Sequence, residues 1–209
     1  MGDADGFPLD EREVFPVLER ERLSEEYFDE VSRMIGSPSP EAMFDPEPTE
    51  QVLGRRLPRD YVALMRAYGG VVSTIEDAYL LLAVGGWGDK DVKSVVEESN
   101  YAVYYLADCV AEYRFMEDSR RISTSWILCR DPYNVFRIGE VFGETLYLFF
   151  DPDVSDWTVV FGSGYLWWQF RGGICELLVK MVKGEVVLPY TEEDYFIGSS
   201  FMQEPRLTE

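Results

Sequence analysis

The sequence predicts an α+β domain built on a largely antiparallel sheet, and three observations lead there. Helical periodicity gathers towards the two ends of the chain, strand-like runs occupy the middle, and strands and helices do not alternate as a parallel sheet requires. At 209 residues, with 46% hydrophobic and 15% aromatic content, the chain is long enough for one well-filled core.

The first predicted helix runs from Glu25 to Ile35 behind Ser24 as its cap, with Tyr27, Phe28, Val31, Met34 and Ile35 as its apolar stripe. Gly36-Ser37-Pro38-Ser39-Pro40 ends it, and the stretch through Pro46 and Pro48 reads as a linker or surface-hugging loop. A second helix starts at Pro58, a residue whose missing N–H costs nothing in a first turn. Tyr61, Leu64, Met65 and Tyr68 follow at helical spacing, and Gly69 can take the left-handed conformation that closes the element.

Strand character follows in Asp77–Val84, Tyr101–Leu106, Ser125–Cys129 and Asn134–Ile138. Thr145–Phe150 and Trp157–Phe161 flank Asp151-Pro152-Asp153-Val154-Ser155-Asp156 as a hairpin with an exposed, acidic loop. A closing helix is predicted from Ile174 to Lys183 with Gly184 as its cap. The chain divides accordingly into an acidic segment with one helix over 1–49, an α+β domain over 50–188, and an acidic-aromatic tail over 189–209.

Charge is the strongest compositional signal: 39 acidic against 19 basic residues, a net of −20, with 15 acids and 4 basic residues in the first 50 positions. Such a surface repels nucleic acid and anionic membranes and favours basic partners. No run approaches the roughly 18 apolar residues of a membrane helix. The acidic start lacks the basic and apolar regions of a secretory leader, so a cytoplasmic location is expected. Cys109, Cys129 and Cys175 are odd in number, widely spaced and set in apolar sequence, as small buried hydrophobes are.

The absence of histidine removes Ser-His-Asp triads, Cys-His dyads and His-based metal sites together. No catalytic, cofactor-binding or metal-ligating residues are assigned, and no cofactor is expected. The residues expected to meet a partner are the acidic stripe Glu19, Glu21, Glu25, Glu26 and Asp29, the hairpin acids Asp151, Asp153 and Asp156, Trp167, and the tail acids Glu192, Glu193 and Asp194. Acids suit a basic target. Tryptophan is a frequent interface anchor, though aromatic residues at this spacing also fill cores.

Leu57-Pro58-Arg59-Asp60-Tyr61, followed by Leu64, Met65, Tyr68, Gly69 and Gly70, resembles the signature helix of the SUKH superfamily (SMI1/KNR4-like). The similarity continues in order through Phe136-Arg137-Ile138-Gly139, Gly143 and Leu146-Tyr147-Leu148, then Trp157–Phe161, then Ile174–Gly184. It covers about residues 50–185; the aromatic insertion between Val84 and Ile127 and the acidic N-terminal segment depart from the pattern. The stretch Leu81–Gly88 with Val103-Tyr104-Tyr105 is similar to the viral US22-like branch.

The resemblance implies a single SMI1/KNR4-like domain: a sheet of about five or six strands with helices at its ends and on one face. Leu57, Pro58, Tyr61, Gly69 and Gly70 would carry the architecture rather than contact a partner. It also implies a non-enzymatic, protein-binding role, as in immunity proteins that neutralise a basic toxin or nuclease. A viral factor that sequesters a host defence protein is the alternative reading. A carboxylate- or metal-dependent hydrolase is the third, and it requires carboxylates converging in one cleft.

Overall fold

The computed structural model describes residues 17–40, 44–73, 80–83, 94, 135–141, 144–151, 155–163, 166–186 and 201–203. Four helices and seven strands lie among them: α1 (Val17–Ile35), α2 (Glu47–Leu53), α3 (Arg59–Tyr68), β1 (Gly70–Ser73), β2 (Leu80–Ala83), β3 (Val135–Val141), β4 (Glu144–Asp151), β5 (Asp156–Ser163), β6 (Leu166–Phe170), α4 (Ile174–Val182) and β7 (Phe201–Gln203). The α+β class and the antiparallel sheet are therefore as the sequence predicts.

Three helices depart from expectation for identifiable reasons, and α4 ends at Val182, one residue before its predicted end. α1 begins at Val17, so Ser24 lies inside it rather than at its cap. The Leu, Glu and Arg residues before Ser24 are strong helix formers, and they outweigh the local capping preference of one serine. α2 occupies the stretch expected to be a loop. Its prolines stand at the start, where a helix tolerates them, and Asp45 Oδ1 accepts the Glu47 N–H at 3.0 Å. Gly54, at φ 67°, closes α2 in the left-handed region that other residues avoid. α3 begins one residue after Pro58, which serves as its cap, and ends where the Gly69 N–H reaches Met65 O.

The sheet runs β6-β5-β4-β3-β2-β1-β7, antiparallel at every junction. β1, β6 and β7 were not among the predicted strands. β1 and β7 have four and three residues, too few to show a period, and β7 exists by pairing with β1 far away in sequence. β7 places a short strand inside the stretch expected as an acidic-aromatic tail. The candidate strands Tyr101–Leu106 and Ser125–Cys129 lie outside the described residues.

A bulge between Arg137 and Gly139 has a visible consequence. Phe136 and Val141 are five positions apart, a spacing that sends side chains to opposite faces of a regular strand. The extra residue restores the parity, and both enter one core with Leu146, Leu148 and Val159.

That core also holds Val31 of α1, Leu53 of α2, Tyr61, Leu64, Met65 and Tyr68 of α3, and Ile174, Leu177, Leu178 and Met181 of α4. The helical face of the sheet is thus closed by apolar stripes, each fully buried side chain contributing about 1.5–3 kcal/mol. On the other face Val135, Tyr147, Phe149 and Val160 are buried too. Burial on both faces explains why β4 reads as nearly continuous apolar sequence.

The N-terminal helix is fastened to the rest. Tyr68 Oη donates to Gly36 O at 2.9 Å, and Ser39 N donates to Ala67 O at 2.8 Å. Lys183 Nζ pairs with Glu30 at 2.9 Å, joining α1 to the end of α4. No helix among the described residues is long and apolar enough to cross a membrane.

Candidate functional site

The expected partner-binding residues fall into groups that the fold treats differently. On α1, Glu25, Glu26 and Asp29 are exposed on the side away from Val31, the residue that anchors the helix. Glu19 and Glu21 belong to the same helix, one to two turns towards its start. Glu30 is instead turned to Lys183, and its hydrogen bond raises the lysine pKa. The result is an acidic ridge on a helix held by its opposite face.

The hairpin acids stand in another setting. Asp151 and Asp156 are paired across the end of the β4–β5 ladder, while Asp153 lies outside the described residues. Ser155, exposed between them, has φ 52°, an uncommon conformation for a residue with a Cβ. Asp156 Oδ1 accepts the Trp157 N–H at 2.8 Å. The Trp157 indole N–H donates to Arg56 O at 2.6 Å, and its ring meets Phe150 edge-on at 5.6 Å between centroids. Arg55 covers the Phe150 ring at 4.1 Å. This end of the sheet is therefore docked on the segment between α2 and α3 that carries Arg55 and Arg56.

Trp157 is buried, so it belongs to the core. Trp167 lies on β6, opposite Gly162 in the ladder, at one edge of the sheet. Glu192, Glu193 and Asp194 lie outside the described residues. Leu57 and Tyr61 are buried and Gly69 has φ 74°.

A residue to which sequence reasoning gave no role occupies the centre of the helical layer. Asp60 is 4% exposed. One carboxylate oxygen accepts the N–H of Tyr61 at 2.9 Å and the other accepts the N–H of Cys175 at 3.1 Å. Cys175 is the second residue of α4, the position whose N–H a cap side chain ordinarily takes. The cap residue here is Gly173, which has no side chain, so a carboxylate from α3 performs that task across the core. Gly173 must be glycine because a Cβ would collide with Asp60 Oδ2. Asp60 thus sits at the positive ends of two helices. An acid in a first helical turn is common enough to draw no notice; the uncapped Gly172-Gly173 before α4 was the only sequence signal.

Burial raises the Asp60 pKa above the ordinary 3.8; the N–H groups of Cys175 and Tyr61 work against the rise, and the charge of Asp156 adds to it. A carboxyl with a raised folded pKa binds its proton more tightly in the fold. Stability from this group is therefore lost as pH rises from about 3.8 through the raised value, and stays lost above it. Asp60→Asn cannot titrate. Its stability relative to the parent is expected to improve steadily as pH rises from about 4, in urea unfolding measured at a series of pH values. Parallel stability curves for the two proteins refute the linkage.

Chemically, this centre is a joint. Both carboxylate oxygens are taken by backbone donors, and burial pushes the Cys175 thiol pKa well up, which leaves little thiolate for nucleophilic work. Among the described residues no group of three or more His, Cys, Asp or Glu is placed to hold a metal ion. No protein-family model, curated protein or solved structure matches the chain.

Proposed function

We propose that the protein is a non-enzymatic, intracellular binding module that neutralises a basic protein partner, a toxin or nuclease, through the exposed face of α1. The observation that carries this reading is the ridge Glu25, Glu26 and Asp29, exposed on a helix fastened to α3 and α4. A rigid acidic helix presents its charge without an ordering cost on binding, and charge complementarity steers and orients a basic partner. The net charge of −20 supplies the long-range field and disfavours nucleic acid and anionic membranes as alternatives.

The SMI1/KNR4-like fold is part of the same proposal. Its support is that the Pro58-to-Gly69 helix and the antiparallel strands stand in the order the resemblance implies. The hairpin acids become a secondary part of the surface, since Asp156 is half-buried and its carboxylate is engaged by the Trp157 N–H.

The test is retrieval of partners from the native source on the immobilised full chain, at about 20 mM and about 150 mM salt, the latter giving a Debye length near 8 Å. A basic toxin or nuclease domain is expected, bound more tightly at low salt and inhibited when the purified components are mixed. Recovery of partners whose affinity is indifferent to salt, or of none at either concentration, overturns the reading.

A further inference from the structure

The junction between β6 and α4 combines three features. Arg171-Gly172-Gly173 links them, with the two glycines directly before the helix. The first turn of α4 has no cap side chain of its own and depends on Asp60, 115 residues away. Beneath that contact lies Cys175, fully buried, with its thiol 3.9 Å from Asp60 O.

We infer that Asp60 and Gly173 form a latch, that the first turn of α4 opens as a local unit when the latch releases, and that this opening governs access to the Cys175 thiol. Four physical facts favour local opening over unfolding of the whole. A helix end whose cap is remote loses that cap with one separation, and the two glycines before it are the residues whose backbone most readily takes up a changed direction. Opening returns a desolvated carboxylate to water, which offsets part of the lost packing. The rest of α4, through Leu177, Leu178 and Met181, remains anchored in the core.

Among the described residues, the ionisable groups acting on Asp60 are Cys175 from α4 and Asp156 from the start of β5, with Tyr61 adjoining it on α3. Burial raises the pKa of Tyr61 as well. The two carboxylates oppose one another, so neither neighbour holds the Asp60 charge in place.

The experiment uses the full chain carrying Cys109→Ser and Cys129→Ser, so that Cys175 is the one thiol. Its alkylation by iodoacetamide is followed by mass spectrometry at increasing urea below the unfolding midpoint. A local opening exposes little surface, so the rate is expected to be nearly independent of urea at first, joining the steep global line only near the midpoint. Asp60→Ala and Gly173→Ala, which break the latch from its two sides, are expected to speed alkylation at zero urea at least tenfold beyond any change in global unfolding. Arg66→Ala, on the exposed side of α3, leaves the rate unchanged. Alkylation that follows the global unfolding line at every urea concentration overturns the latch, and that measurement needs neither variant to fold. Variants that change the rate only in proportion to global stability overturn it equally.

Discussion

Tyr61→Ala is expected to lower stability by about 3–5 kcal/mol, the cost of removing a large aromatic side chain from a packed interior. Tyr61 is fully buried and meets Phe44 edge-on at 5.9 Å between ring centroids, so its loss leaves a cavity between α3 and the segment before α2. For a chain of this size the loss corresponds to a fall in melting temperature of roughly 10 °C. Arg66→Ala, one turn later on the exposed face, should change stability by less than about 0.5 kcal/mol. Calorimetry on both variants reads the contrast. A Tyr61→Ala protein that melts with the parent while losing its partner would make this tyrosine a contact residue, and the architectural reading of Leu57, Pro58, Tyr61, Gly69 and Gly70 would fail with it.

Reversing the α1 ridge with Glu25→Lys, Glu26→Lys and Asp29→Lys together should weaken binding of the basic partner on the order of 100-fold at low salt. Each reversal removes an attraction and adds a repulsion, and three of them summing to about 3 kcal/mol give that factor. The loss should shrink as salt rises, because exposed charges are screened beyond a Debye length. Thermal stability should hold, since the helix is anchored by Val31, the Tyr68–Gly36 hydrogen bond and the Lys183–Glu30 pair, none of which is touched. Asp156→Lys should have the smaller effect on binding, as Asp156 is only half-exposed and its carboxylate is engaged by the Trp157 N–H. Titration calorimetry at two salt concentrations decides it. An unchanged affinity in the triple variant, with the partner still bound, moves the interface off α1.

The parts of this fold that were legible in the sequence are those written in local chemistry. The stripe of Tyr61, Leu64, Met65 and Tyr68 identified α3, and the apolar runs on either side of Asp151–Asp156 identified β4 and β5, because repeated side-chain spacing survives without context. Less was legible where a local signal met a competing one. Ser24 suggested a helix start inside what is a longer helix, and Pro46 and Pro48 suggested a loop where they begin one. The acidic ridge was visible as composition, but composition alone placed the hairpin acids beside it as equals.

By itself, the sequence determined the α+β class, the antiparallel sheet, the helix bounded by Pro58 and Gly69, and the strong negative charge, since each follows from residue type and period. Tertiary structure alone decided which acids are exposed on α1 and which, like Glu30, turn to a partner on another helix. It also set the pairing of β7 with β1 and the capping of α4 by Asp60. The reason is the same in each case: a contact between residues far apart in the chain, 115 positions for Asp60 and Cys175, obeys no period. Asp60 and Cys175 meet only because α3 and α4 are packed on one face of the sheet, and no spacing along the chain records that meeting.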